Sequence, residues 1–211
     1  MTSRPRGRPR AFDRAAALEQ ATRLFWTKGF DSTSVSDLTE VMGIGAPSLY
    51  AAFGDKKALF CEVLDSYGAT HPFIARALAE EPTGTAAVAR ILREAADEYT
   101  DADSPPGCLM ITAASAGTAN ADIAERLAAI RTANAAAITE RLQSDIDTGV
   151  LPGTGDAATL ARYVAVVLQG MSQAARDGAR RADLAAVADL ALRSWPAPTP
   201  APEGGSGYPA L

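Results

Sequence analysis

The stretch from Ser34 to Lys57, SVSDLTEVMGIGAPSLYAAFGDKK, limits the fold more than any other part of this chain. Ser34-x-x-Asp37 ahead of an apolar run is a capping-box signature, so a helix is predicted to start near Val35. Val35, Leu38, Val41 and Met42 fall at helical spacing over two turns and predict its inner face. Gly43 follows where a residue in the left-handed conformation is needed to end it. Ile44 gives the turn an apolar anchor. Pro47 lies in the first turn of the next helix, where a missing N–H costs nothing, and Leu49 and Phe53 form that helix's inward face. Two short helices joined by a glycine turn make a helix-turn-helix unit, whose second helix can enter a DNA major groove.

The rest of the chain reads as helix throughout. Asp13 is the expected N-cap of a first helix, Arg14 to Lys28, with Leu18, Ala21, Thr22 and Phe25 as its inner stripe, Leu24 flanking and Gly29 at its end. Asp55 caps a helix from Lys56 that carries Leu59, Phe60, Val63, Leu64 and Tyr67 inward, with a break or kink expected near His71 from Gly68 and Pro72. Helices are predicted over about 85–100, 108–116, 121–148, 156–178 and 181–195, and Pro105-Pro106-Gly107 punctuates the loop ahead of Cys108. In the long Ala-rich helix, Ile123, Leu127, Ile130, Asn134, Ile138 and Leu142 are expected to face inward. Leu160, Tyr163, Val164, Val167, Leu168 and Met171 make the stripe of the next helix, and Leu184, Val187, Ala188 and Ala191 that of the last. Residues 196–211, rich in Pro, Gly and Ala, read as a disordered tail. No strand-period segment and no internal repeat competes with this all-α reading.

Charge separates the chain into two parts. Residues 1–60 hold nine Lys/Arg against six acids, a net of +3, while the remainder holds 11 against 19, a net of −8. Only the N-terminal part is expected to meet a polyanion. Apolar runs stop short of the ~18 residues that cross a bilayer, no secretory leader is legible, and two cysteines do not make a disulfide framework. These features predict a soluble cytoplasmic protein with no membrane partner. The first residues, MTSRPRGRPRA, form a basic arm, and Pro5-Arg6-Gly7-Arg8-Pro9 is the core of an AT-hook, an extended segment that inserts arginine into the narrow minor groove of A·T-rich DNA. The competing reading is a solvated tail that adds nonspecific phosphate affinity.

The order of elements, with Thr33-Ser34-Val35, Gly43-Ile44, Leu49-Tyr50-x-x-Phe53 and Lys56-x-x-Leu59, resembles the DNA-binding domain of the TetR family of transcriptional regulators over roughly residues 11–65. The resemblance implies four parts: a basic arm (1–12), a helix-turn-helix domain (13–55), a helical effector-binding and dimerisation domain (56–195) and a tail (196–211). It implies a ligand-responsive repressor that binds a palindromic double-stranded operator as a homodimer through its last two long helices, with Ala165, Gly170, Ala174 and Ala188 allowing close approach. Such dimers place recognition helices in successive major grooves about 34–36 Å apart.

The resemblance also assigns residues. Tyr50 and Lys56 are the expected phosphate contacts, joined by the Ser34 hydroxyl and the amides of its helix N-terminus; Arg6, Arg8 and Arg10 are expected DNA contacts on the pattern of the arm itself. Ala46, Pro47, Ser48 and Ala51 occupy positions that face base edges. Gly45 and Ala46 stand where polar residues are commoner, which shifts sequence reading toward thymine methyl contacts, the arm and DNA shape. A small-molecule effector of unspecified chemistry is expected among Tyr67, Phe73, Tyr99, Cys108, Leu109, Asn134, Leu168 and Met171. For each of these, ordinary core packing is the competing reading.

Cys108 carries a further alternative, a redox- or electrophile-sensing regulator, because a cysteine in the first turn of a helix meets the positive end of its dipole. The plainer reading is a small buried residue. A second alternative is an architectural DNA-binding protein without an effector. An enzyme is disfavoured: the chain's only histidine, His71, has no nucleophile–base partner or metal-ligand spacing near it, so no catalytic residue, metal or cofactor is expected.

Overall fold

A computed structural model describes residues 13–115, 118–151 and 156–196. The arm arginines Arg6, Arg8 and Arg10, and the tail beyond Pro196, lie outside the described residues. Among the described residues there are ten α-helices and no strand: α1 (Arg14–Lys28), α2 (Val35–Met42), α3 (Ala46–Phe53), α4 (Lys56–Thr70), α5 (Phe73–Glu80), α6 (Gly84–Glu98), α7 (Leu109–Ser115), α8 (Ala121–Asp147), α9 (Ala157–Arg176) and α10 (Arg181–Arg193). No helix of the described residues is long and apolar enough to cross a membrane.

The chain forms two compact units, one up to Pro72 together with Asp101–Ala129, the other Phe73–Thr100 with Ile130 onward. This division does not follow the expected boundary at residue 55. The reason is visible in the first unit's core. Phe60 of α4 meets Phe25 of α1 edge-on at 4.9 Å and Phe30 at 5.1 Å, so α4 completes the apolar interior that α1–α3 cannot close alone. α7 packs on both α1 and α4 in the same unit.

In α1 the buried residues are Ala17, Ala21, Phe25 and Trp26. The expected stripe through Leu18 and Thr22 is turned by about one residue, because in an Ala-rich helix both registers satisfy the 3.6 period. α4 stops at Thr70 with His71 at its C-cap, and Pro72 leads into a separate helix, α5, rather than a kink.

In the second unit α6 packs against α5, α9 and α10. Its N-terminus is held by the buried carboxylate of Asp145, which accepts from Gly84 N at 2.6 Å and from Arg141 Nη1 at 2.8 Å. Arg141 also donates to Pro82 O at 2.6 Å. At the same end of α6, Trp195 donates to Thr85 Oγ1 at 3.2 Å. α9 buries Ala161, Val164, Leu168, Met171 and Ala175 in this core, and α10 buries Leu184, Ala188 and Ala191.

Candidate nucleic-acid interface

The first unit builds the helix-turn-helix from local signals. Ser34 Oγ accepts from Asp37 N at 3.0 Å and Ser34 N donates to Asp37 Oδ2 at 2.8 Å, a complete capping box. Gly43 ends α2 at φ 65°, and Ile44 N donates back to Thr39 O at 3.1 Å, a Schellman closure that requires the left-handed residue. α3 begins with Gly45 at its N-cap and Pro47 in its first turn, and no side chain caps it.

α3 turns Leu49 and Phe53 into the core and leaves the opposite face to solvent. Pro47, Ser48, Tyr50 and Ala51 are exposed on that face, while Ala46 is half-buried at its margin. Tyr50 keeps half its surface (50%) open. The structure therefore groups the base-edge and phosphate candidates of α3 on one accessible stripe. It is poor in hydrogen-bonding side chains, holding only the Ser48 and Tyr50 hydroxyls.

Two other expected contacts are already engaged within the protein. The Ser34 hydroxyl donates to Asp37 Oδ2 at 2.7 Å, so its proton is not available to a phosphate and only the helix amides remain as donors there. Asp37 is held down to about 2 from an ordinary 3.8 by the Ser34 hydroxyl, the Ser34 backbone N–H and the Lys28 ammonium. Lys56 Nζ donates to the carbonyls of Phe30 at 2.9 Å and Thr33 at 2.8 Å, which leaves one of its three N–H donors for DNA.

The same holds for the unit's other described cations up to residue 60. Arg14 pairs with Glu62 and lies over the Phe53 ring, Arg23 donates to Asp103 O, Lys28 pairs with Asp37, and Lys57 with Asp122. By sequence these are simply surface charges. Their pairing is a tertiary fact with no local signature.

The expected effector residues divide between the units. Tyr67, Cys108 and Leu109 are buried in the first, with the Tyr67 hydroxyl 3.6 Å from Cys108 Sγ. Phe73, Tyr99, Leu168 and Met171 are buried in the second, where Phe73 and Tyr99 meet edge-on at 6.3 Å. Asn134 is exposed on α8, contrary to the expected inward stripe, because the buried positions of that helix are Ile123, Leu127, Ile138, Leu142 and Asp145. Cys108 stands just before α7, a helix of only 7 residues, and its carbonyl accepts from Thr112 N at 2.8 Å. Trp26 and Thr112, buried beside this group, carry no mark in the sequence. An unpaired buried hydroxyl or indole has no sequence signal.

An outward recognition helix held by a Schellman turn defines the class: a helix-turn-helix DNA-binding protein. The family described as "Bacterial regulatory proteins, tetR family" matches residues 17–63. The chain is 37% identical to the HTH-type transcriptional repressor ComR of Escherichia coli (strain K12), over 90% of this chain and 92% of that protein. It is 35% identical to the repressor BdcR of the same organism over the same shares, 90% and 92%. Among solved structures, a cysteine mutant of the TetR family transcriptional regulator CifR complexed with 26 bp double-strand operator DNA is 40% identical. It aligns with a TM-score of 0.83 over 90% of this chain and 100% of that one. The chain belongs to the TetR family; it is a DNA-binding transcriptional repressor and not an enzyme.

Proposed function

We propose that this repressor binds a two-fold symmetric operator as a homodimer and releases it when a small molecule occupies the helical part of the chain. The observation that carries the DNA half of this reading is the exposed α3 stripe of Pro47, Ser48, Tyr50 and Ala51 behind the buried pair Leu49 and Phe53. The relative in complex with operator DNA supports it. Ser48 and Tyr50 supply hydroxyls, Ala51 and Pro47 apolar contact to thymine methyls, and the α2 N-terminal amides a phosphate seat.

The homodimer reading is supported by the second unit. α9 and α10 bury one face each and still expose Val166 at 60%, Leu190 at 60%, Val187 at 45% and Tyr163 at 37%. Beside these, Gly170 faces open space, so a second backbone can approach closely there. Ala188, one of the small residues expected at the dimer seam, is instead fully buried within the unit. An apolar face on two adjacent helices is unfavourable in a monomer and fits a second copy of the same face.

The pairing of Arg14, Arg23, Lys28, Lys56 and Lys57 within the protein shifts the electrostatic task toward the arm. Arg6, Arg8 and Arg10 are then the charges that add to phosphate and minor-groove affinity. The test is selection of bound genomic fragments followed by footprinting, with mass measured in solution. A palindromic footprint bound by a dimer upholds the reading; a monomer with no sequence preference defeats it.

A further inference from the structure

Among the described residues, the buried side-chain atoms with no hydrogen-bond partner are Trp26 Nε1, Thr112 Oγ1 and one nitrogen each of Arg126 and Arg131. Arg126 is already paired with Asp65. The first two differ, because both residues are almost wholly covered, Trp26 at 4% and Thr112 at 2% exposure. Buried polar atoms are rarely left without a partner, and each exception calls for a physical cause, of which a bound molecule is one.

Thr112 differs from several other helical threonines among the described residues. Thr22, Thr27, Thr100 and Thr139 each turn the hydroxyl back onto the carbonyl four residues earlier, at 2.7–2.8 Å. Thr112 sends its backbone N–H to Cys108 O and makes no such hydroxyl bond. Its hydroxyl keeps both a donor and an acceptor function for another group.

The two side chains are linked through Tyr67 and Cys108 in the first unit. Trp26 of α1 meets Tyr67 edge-on at 5.0 Å and His71 at 5.9 Å, and Tyr67 stacks on His71 at 4.2 Å. The Tyr67 hydroxyl reaches Cys108 Sγ, and Thr112 lies one helical turn beyond Cys108 on α7, which packs on α1.

We propose that α1, α4 and α7 form a seat for a small neutral molecule carrying a carbonyl-type oxygen on an apolar, preferably aromatic, body. The Trp26 indole N–H and the Thr112 hydroxyl are its anchors. The proposal rests on the reading of this chain as an effector-responsive repressor, and it names the chemistry of the effector. An indole nitrogen is a donor only, so the ligand must offer an acceptor, and a carbonyl oxygen has two lone pairs to take both donors. The rings of Trp26, Tyr67 and His71 suit a flat apolar body. A neutral oxygen is favoured over an ion: the two anchors are uncharged, and the one basic ring beside them, His71, already has its Nδ1 against Thr70 Oγ1 at 2.9 Å and the Tyr67 carbonyl at 3.3 Å.

The full chain has two tryptophans, Trp26 and Trp195, so two indole N–H resonances report on it in ¹⁵N-labelled protein, and Trp195→Phe assigns them. Trp195 donates to Thr85 in the other unit and serves as an internal control. Acetophenone, benzoate and ethylbenzene are titrated as the neutral carbonyl, charged and purely apolar probes. The expected result is a saturable shift of the Trp26 resonance by acetophenone alone, with Trp195 unmoved. Thr112→Val, which keeps the side-chain shape, weakens that binding at least fivefold. An unmoved Trp26 resonance, an equal response to ethylbenzene, or undiminished binding by Thr112→Val overturns the seat. So does a solvent-exchange cross-peak to a bound water that acetophenone does not displace. Operator affinity is measured in parallel. Release of DNA by a molecule that leaves Trp26 unmoved overturns the seat and leaves the effector-responsive reading standing. A shift at Trp26 without change in operator affinity upholds the seat and counts against that reading.

Discussion

The ammonium of Lys56 stands 4.3 Å above the ring of Phe30 while donating to the carbonyl of the same residue at 2.9 Å. With its second bond, to Thr33 O, it brackets the loop that delivers the chain into α2. Phe30 is itself packed on Phe25 and Phe60, so the bracket ties the entry of the helix-turn-helix to the core beneath it.

If this bracket is the main task of Lys56, Lys56→Ala destabilises the protein by about 1–2 kcal/mol, the range for bonds from a charged donor at a partly exposed site with a ring contact added. The slope of operator affinity against salt stays unchanged. A primary phosphate contact gives the opposite pattern: an unchanged melting temperature and a slope reduced by about 0.9. Thermal melts and binding measured across a salt series separate the two.

The capping box gives a pH dependence with a defined sign. The Asp37 carboxyl is depressed to about 2 in the folded chain against its ordinary 3.8. A depressed acid contributes stability that is fully present above its unfolded value and lost as pH falls through its folded one. The stability difference between the native chain and Asp37→Asn is therefore constant above about pH 4 and closes toward pH 2. A difference that persists unchanged at pH 2 would show that the charge on Asp37 contributes nothing to the cap.

Much of the helix-turn-helix was legible because its signals are local. Asp13, Ser34 with Asp37, Gly43 and Asp55 cap or close the helices that contain them, and each does so through atoms within five residues. α5 was not legible, since its place is set by distant partners: Phe73 against Tyr99, Arg76 on Glu94, and Arg90 on Glu80 and Glu81. Tyr163 and Val187 show a different limit. Both fit an apolar stripe by spacing, yet both are exposed, because the period gives a face and does not say whether that face meets its own core or another chain. Trp26 and Thr112 were invisible for a third reason, that a missing partner is known only once every neighbour is placed.

Gly84 tests the packing at the start of α6. A Cβ there would lie 3.0 Å from Leu142 Cδ2, 3.2 Å from Asp145 Oδ2 and 3.3 Å from the Arg141 carbonyl. Helix propensity alone favours Ala over Gly by up to about 1 kcal/mol, and less at a first position. Overpacking against a fixed carbonyl and a buried carboxylate costs about 1–3 kcal/mol. The second effect wins, so Gly84→Ala lowers stability by about 1–2 kcal/mol in denaturant melts. A neutral or stabilising result would mean that Asp145 and Leu142 yield freely.

The exposed α9/α10 face is tested by Val166→Glu combined with Leu190→Glu. Both side chains are 60% exposed, so the fold of one chain keeps its core and its helical circular dichroism. The expected mass in solution falls from dimer to monomer. Operator affinity drops by about 10²–10⁴-fold, because two heads no longer engage as one linked pair. A double variant that remains dimeric moves the interface elsewhere on the chain.

The arm carries the last prediction. Each described cation of the head up to residue 60 has a partner inside the protein, so part of its hydrogen-bonding capacity is already used before a DNA phosphate arrives. In the reading proposed above Arg6 and Arg8 supply charge to the DNA, and α3 offers few side chains able to make bidentate base contacts. Replacing both with Ala should weaken operator binding and lower the salt slope by about 1.8, at ~0.9 for each phosphate no longer neutralised. If the arm also reads the minor groove, the loss is greater on an A·T-rich flank than on a G·C-rich one, because only the former is narrow enough to hold inserted arginine. An equal loss on both flanks leaves the arm as a phosphate clamp, and an unchanged slope removes it from DNA binding.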